Sequence, residues 1–329
     1  MLLPDVDEIL ETARAVALPL ATRFRGVDVR EAVVFEGPEG WSEFSPFVEY
    51  DDAEASVWLA GAIDFGWMPR PRARRDAVPV NATVPAVAAA DVAAVLARFD
   101  GCRTAKVKVA ERGQVLADDV ARVRAVRELL GPEGRVRVDA NGGWNVDEAE
   151  HAVRALAEFD LEYVEQPCAS VEELAELRAR IGYLGIPVAA DESVRKADDP
   201  LRVARAGAAD LLVVKAQPLG GVRRALEIVE AAGLPAVVSS ALDTSVGLSM
   251  GVALAAALPD LPYDCGLGTA SLFTADVAAP PLTAVGGVLH PGAVTPDAAS
   301  LDAHAATAER REWWLARLRR CHTALSAAG

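Results

Sequence analysis

From about residue 78 onward the chain repeats one pattern: a short β-branched run, a Gly, Pro or polar turn, then an Ala-, Leu-, Arg- and Glu-rich stretch of helical character. The runs are VPVNAT near Pro79, AKVKVA at 105–110, RVRVDAN at 135–141, LEYVEQP at 161–167 and IPVAADES at 186–193. They continue as DLLVVKAQP at 210–218, PAVVSSAL at 235–242 and LPYDCGLG at 261–268. Between them the sequence predicts helices at Asp118–Leu130, Val146–Glu158, Val171–Arg180 and Gly221–Ala232. Strand, helix, strand in regular succession gives βα units and a parallel sheet. Eight such strands without a large interruption predict a closed α/β barrel of the TIM type rather than an open sheet.

The flanks break this pattern. Residues 1–77 are expected to form a small α+β unit. ATRFRGVDVREAVVFEGPEGWSEFSPFVEY supplies two or three antiparallel strands turning at Gly37–Gly40, followed by a helix near Asp51–Asp64. A unit of that size buries too little surface to stand alone, so it is expected to cap the barrel, which spans 78–270. Residues 271–329 are expected to run as loop and then as an Arg-rich helix, AERREWWLARLRR, packing back on barrel and cap. Its Trp313 and Trp314 read as packing anchors.

Charge narrows the function. With 33 Lys and Arg against 48 Asp and Glu the net charge is −15, and no basic stripe is present. A nucleic-acid partner, which needs clustered cations for phosphates, is therefore not expected, nor is an anionic membrane surface. The opening MLLPDVDEIL lacks the basic start of a secretory leader, and the apolar stretch near Val246–Leu258 is shorter than a membrane span. Cys102, Cys168, Cys265 and Cys321 lie far apart without a CxxC pair, which suits reduced thiols in the cytoplasm. The sequence does not fix an oligomeric state, and a monomer is compatible with it.

In a barrel of this kind the chemistry sits where strands end. The run at 105–110 carries Lys106 and Lys108, two apart and so on one side. The next runs end in Asp139 with Asn141, in Glu165, in Asp191 with Glu192, and in Lys215. Charges after apolar runs are costly unless paired or bound to metal. The second and sixth strands face one another across a barrel, so lysines oppose each other with three carboxylates along the wall between. Three carboxylates suit Mg²⁺, with Mn²⁺ as a substitute. Zinc is not expected, because His151, His290, His304 and His322 show no ligand spacing. A divalent ion flanked by lysines suits removal of the proton next to a carboxylate. The expected substrate is a small anionic carboxylate, which the local cations must capture against the overall negative charge.

KVK at 106–108, DANGGW at 139–144, EQP at 165–167, ADES at 190–193 and VVKAQPLGG at 213–221 together resemble the enolase superfamily in its muconate-lactonising-like branch. The resemblance covers nearly the whole chain and implies a (β/α)₇β barrel closed by an α+β cap. Within that branch, FRGVDVREAVVFEGPEGWSEFSPFVEYDD is similar to the o-succinylbenzoate synthase family, which dehydrates 2-succinyl-6-hydroxy-2,4-cyclohexadiene-1-carboxylate to 2-succinylbenzoate in menaquinone biosynthesis. The resemblance implies that Lys108 removes the α-proton and protonates the departing hydroxyl, with Lys215 stabilising the enolate. It implies that Lys106 holds the substrate carboxylate and depresses Lys108. It gives Asp139, Glu165 and Asp191 to Mg²⁺, with Asn141 and Glu192 supporting them. It places Ser239, Ser240, Gly266 and Gly268 near the succinyl chain, and Arg25 in a capping loop over the substrate. N-succinylamino acid racemases and dipeptide epimerases carry the same lysine pair and form the alternative. A non-catalytic barrel would lack a base or a ligand, and none is missing.

Overall fold

The computed structural model describes residues 3–24, 26–196 and 199–328. Helix α1 (Val6–Thr12), capped by the Asp5 side chain on the amide of Asp7, leads into an antiparallel sheet. Its strands are β1 (Arg14–Phe24), β2 (Val27–Gly37) and β3 (Gly40–Phe44), in that order. Gly37 pairs with Gly40 around a two-residue turn, as the Gly-Pro signal predicts. Helix α2 (Asp52–Trp67) starts on Asp51, whose carboxylate accepts from the amide of Glu54. Trp58, Leu59, Ala62 and Ile63 of α2 are buried with Phe35 and Phe44 of the sheet.

A short ribbon, β4 (Val78–Pro79) with β12 (Val288–Leu289), precedes the barrel proper. The parallel sheet then runs β5 (Ala82–Val84), β6 (Thr104–Lys108), β7 (Arg135–Asp139), β8 (Leu161–Glu165), β9 (Val188–Ala190), β10 (Leu211–Val214) and β11 (Ala236–Val238), adjacent in chain order. The eighth run does not form a ladder. Cys265 bridges Val80 and Gly266 bridges Ser239, both parallel, and these two residues join the first strand to the last. Pro262 has no amide hydrogen to donate, so the run does not pair there.

The outer helices follow their caps. Helix α3 (Val92–Leu96) is short. Helix α4 (Leu116–Leu130) ends at Gly131 with φ 72°. Helices α5 (Val146–Leu156) and α6 (Val171–Ile181) open with Asn145–Glu148 and Ser170–Glu173 capping boxes. After the fifth strand come two four-residue helices, α7 (Glu192–Arg195) and α8 (Arg202–Arg205). Helix α9 (Val222–Ala232) ends at left-handed Gly233. Helix α10 (Ser245–Ala257) is apolar on every face because barrel and cap both cover it. No helix among the described residues is long and apolar enough to cross a membrane.

Strand alternation sorts the barrel. Val164, Val188, Leu212, Val214 and Val238 join the main core, whereas Tyr163, Ala189, Leu211, Val213 and Val237 form a separate inner layer. Stepping two residues from Tyr163, Ala189, Val213 and Val237 reaches Glu165, Asp191, Lys215 and Ser239. The period of two thus delivers those side chains to the barrel mouth.

The cap is seated by close backbone contact. Gly61 of α2 lies over the loop after β10, where a Cβ would come within 2.9 Å of the Gly221 nitrogen. Gly221, at φ 113°, faces Asp64 in turn, and Asp64 pairs with Arg223 at 2.6 Å. Beyond α11 (Ala298–Ala303), helix α12 (Ala308–Ala328) packs on α2 and β1. Trp314, Leu318 and Cys321 are buried in the cap's core, and the Trp314 ring meets Phe44 edge to face.

Candidate active site

Fourteen residues line a small cavity of about 30 Å³ at the C-terminal ends of the strands. Lys106, Lys108, Asp139, Asn141, Asp191 and Lys215 are among them, with Ser239, Ser240 and Gly266 on the opposite wall. Phe24 of the cap closes one side, and its ring centroid lies 5.5 Å from the Lys108 ammonium. Gly268 does not line the cavity. It turns against the Asn81 carbonyl and Phe99, and the adjacent Thr269 takes the wall, 2.6 Å from the Ser240 hydroxyl. Arg25 lies outside the described residues.

The charged side chains form one buried network. Lys106 donates to both oxygens of Glu165, at 2.8 and 2.9 Å, and stands 3.5 Å from Asp139. Lys108 donates to Asp139 and, at 2.7 Å, to Asn141. Asn141 in turn donates to Glu192 at 3.2 Å. Lys215 donates to one oxygen of Asp191, and Arg195 to the other at 3.0 Å. Lys106 thus meets carboxylates rather than simply crowding Lys108. Burial alone lowers a lysine pKa, but Glu165 and Asp139 outweigh it and hold Lys106 above the ordinary lysine range. Burial raises carboxyl pKa values, yet Lys108 and Lys106 hold Asp139 well below the usual range, and Lys215 and Arg195 do the same for Asp191. Glu165, buried beside Asp139, is pushed up to about 7. Lys215 is pulled down by burial, with Arg195 adding like-charge repulsion.

The three carboxylates present only oxygen, are almost wholly buried and sit on adjacent strands, a donor set that fits a hard divalent cation. Among the described residues, however, no three acidic, His or Cys side chains converge closely enough to hold an ion as they stand. Their oxygens are turned to Lys106, Lys108, Lys215, Arg195 and the Asn141 amide. Ion binding requires the lysines to release them. Oε2 of Glu192, beside this group, is buried without a partner and adds an unused acceptor. The histidines play no part: His290 and His322 bond to backbone carbonyls of Asp76 and Pro4.

Two supporting residues, Gln166 and Arg195, stand outside the expected site set. Gln166, at φ 39°, accepts from the amides of Asp191 and Ser193 at 3.0 and 3.2 Å and so shapes the turn that carries Asp191. Arg195 reaches Asp191, Glu192 and the Tyr50 hydroxyl, joining β9 to the cap. Its spacing of four from Asp191 on a helical turn was the one available clue. Ala110, Asn141, Gln166 and Leu242 all hold positive φ just beyond the ends of β6, β7, β8 and β11. Such backbone is disfavoured in non-glycine residues and gathers at functional sites.

Comparisons with known proteins show what the chain resembles. Residues 15–66 match a family model described as Enolase N-terminal domain-like, and residues 88–298 one described as Enolase C-terminal domain-like. A Mycolicibacterium smegmatis protein named o-succinylbenzoate synthase is 58% identical over 320 residues, covering 97% of this chain and 98% of the relative. A muconate lactonizing enzyme from Pseudomonas fluorescens, complexed with muconolactone, superposes with a TM-score of 0.76 at 22% identity, over 90% of this chain and 98% of that one. An N-succinyl Arg/Lys racemase from Bacillus cereus gives 0.74 at 20% identity, over 89% and 96%. At those identities the two structures speak for the fold alone.

Proposed function

The chain belongs to the o-succinylbenzoate synthase family of the enolase superfamily, and from that premise we propose that it dehydrates 2-succinyl-6-hydroxy-2,4-cyclohexadiene-1-carboxylate to 2-succinylbenzoate, a step of menaquinone biosynthesis. The observation that carries this reading is identity of 58% across nearly the full chain to a relative of that name. The buried lysine and carboxylate network at the barrel mouth supplies the chemistry.

Lys108 removes the α-proton as the free amine. It reaches into the cavity, and Asn141 and Asp139 fix its direction. The C–H electron pair moves toward the substrate carboxylate. The ammonium formed then gives its proton to the hydroxyl leaving the same face, water departs, and the ring becomes aromatic. Lys215 faces this centre from the other side and opposes the negative charge that builds up. Lys106 orients the substrate carboxylate from below. Members of the superfamily generally use a divalent metal, and Asp139, Glu165 and Asp191 would hold Mg²⁺ here, with Mn²⁺ as substitute. When bound it supplies positive charge against the substrate carboxylate as the α-carbon is deprotonated. Ser239, Ser240, Gly266 and Thr269 form the wall for the succinyl chain. Four free thiols fit a reducing cytoplasm.

A pair of assays on purified protein with Mg²⁺ tests the reading. One follows formation of the aromatic product, the other loss of optical rotation from N-succinyl amino acids. Fast dehydration with slow racemisation supports it. Racemisation without dehydration overturns it, and makes Lys215 a second acid and base.

A further inference from the structure

The cavity wall at residues 239–242 is held from two sides: Ser239 and Ser240 bond to Val214 and Gly266 of the barrel, whereas the carbonyls of Ala241 and Leu242 are held from the cap. Leu242 is a buried, non-glycine residue at φ 63°, a conformation that persists only where its surroundings impose it. The imposing contacts come chiefly from one side chain. Arg30, on β2, is almost wholly buried, donates Nε to the Leu242 carbonyl at 3.1 Å and Nη2 to the Ala241 carbonyl at 3.5 Å. The same Nη2 also reaches the Ser45 carbonyl at the end of β3, and the guanidinium lies 4.3 Å from the Phe47 ring centroid. One planar group therefore ties two carbonyls of the cavity wall to the body of the cap.

Two carboxylates complete the clamp. Asp243 accepts from the Ala241 amide at 3.3 Å and from Gln217 at 3.2 Å. Glu43, from β3, accepts from the amides of Thr244 and Gly247, at 3.0 and 3.1 Å, where α10 begins. Gly247 permits this approach, because a Cβ there would lie 2.6 Å from the Glu43 carboxyl carbon. Arg30 thus sits between acids that offset its buried charge and carbonyls that need its donors.

We propose that Arg30 is a positioning residue for substrate binding: it holds Ala241 and Leu242 in the backbone conformation that sets the cavity wall, so that cap seating and wall shape are one equilibrium. The proposal rests on the synthase reading for its substrate, but not for its geometry. Arg30 is not among the residues that line the cavity. Its effect belongs in substrate affinity rather than in proton transfer.

The test compares Arg30→Met, which keeps much of the volume without donors, with Arg30→Lys, which keeps the charge but not the fork. KM is read for whichever substrate of the paired assays the wild type turns over. For Arg30→Met a rise of roughly tenfold or more is expected, the scale of a lost charge-assisted hydrogen bond, with kcat changed by less than about threefold. Arg30→Lys falls between. Independently of any activity, amide exchange in a peptide covering 239–244 rises in both variants, while β1 keeps its protection. A folded variant with wild-type KM and wild-type exchange at 239–244 overturns the proposal and leaves Arg30 a simple staple. Wild-type protein that turns over neither substrate sinks the synthase reading alone, and the exchange measurement then decides Arg30.

Discussion

Lys108 and Asp139 meet directly across neighbouring strands, Nζ to Oδ2 at 2.5 Å. The contact aims the amine into the cavity while Lys106 remains as a second cation near the same carboxylate. Lys108→Ala is therefore expected to remove the base without stranding Asp139. Dehydration should fall by at least about a hundredfold, the lower end of what a positioned base contributes. Circular dichroism and Mg²⁺ binding should stay close to wild type. Activity within about tenfold of wild type would remove Lys108 from the role of base.

Asp191 balances Lys215 and Arg195 with its two oxygens. Asp191→Asn keeps the shape but offers a metal one neutral oxygen. Calorimetric titration should show Mg²⁺ affinity reduced by roughly two orders of magnitude or more, beyond the change expected for a residue that merely supports a ligand. Unchanged affinity would take Asp191 out of the metal site.

Burial and the neighbouring Asp243 push the Glu43 carboxyl up to about 7 from the ordinary 4.5. The folded protein therefore keeps a proton there that the unfolded chain has already released. By linkage, this group lowers stability as pH rises from near 4.5 to about 7, and costs nothing below that window. Glu43→Gln cannot titrate but keeps an oxygen for the Thr244 and Gly247 amides. Urea unfolding at several pH values should show that the variant loses less stability than wild type across the window. Parallel pH profiles would assign the proton elsewhere.

At an exposed helical position Gly→Ala gains about 1 kcal/mol. At Gly61 the sign should reverse. The new methyl meets the Gly221 nitrogen at 2.9 Å and the Gln217 carbonyl at 3.1 Å, and neither backbone atom can yield cheaply. Gly61→Ala is expected to cost about 1–3 kcal/mol in thermal or urea unfolding, as overpacking does. It should also raise KM, since the loop it displaces follows Lys215. A more stable variant would mean that the cap seats less tightly than these contacts require.

What was legible in the sequence was local and periodic. The β-branched runs located the strands, and once their number implied a closed barrel, the strand ends put Asp139, Glu165, Asp191 and Lys215 at one mouth. Contacts that join distant segments left no local mark. Glu43 meets Thr244, and Gly61 meets Gly221, only because the cap lands where it does. A buried acid and a helical glycine look ordinary in sequence. Gly268 was misplaced for a related reason: one residue of turn decides whether it or Thr269 faces inward, and turn geometry after an irregular strand follows no fixed period.

The position of α12 bears on how the molecule is made. It supplies Trp314, Leu318 and Cys321 to a core whose other buried members, Ala241 and Ala306 apart, stand between Ile9 and Ile63. A ribosome therefore delivers the whole barrel before it delivers the piece that finishes the cap. During synthesis the cap's strands stand without α12 until the barrel has been made. The cap's core therefore lacks three of its buried side chains until α12 has been made.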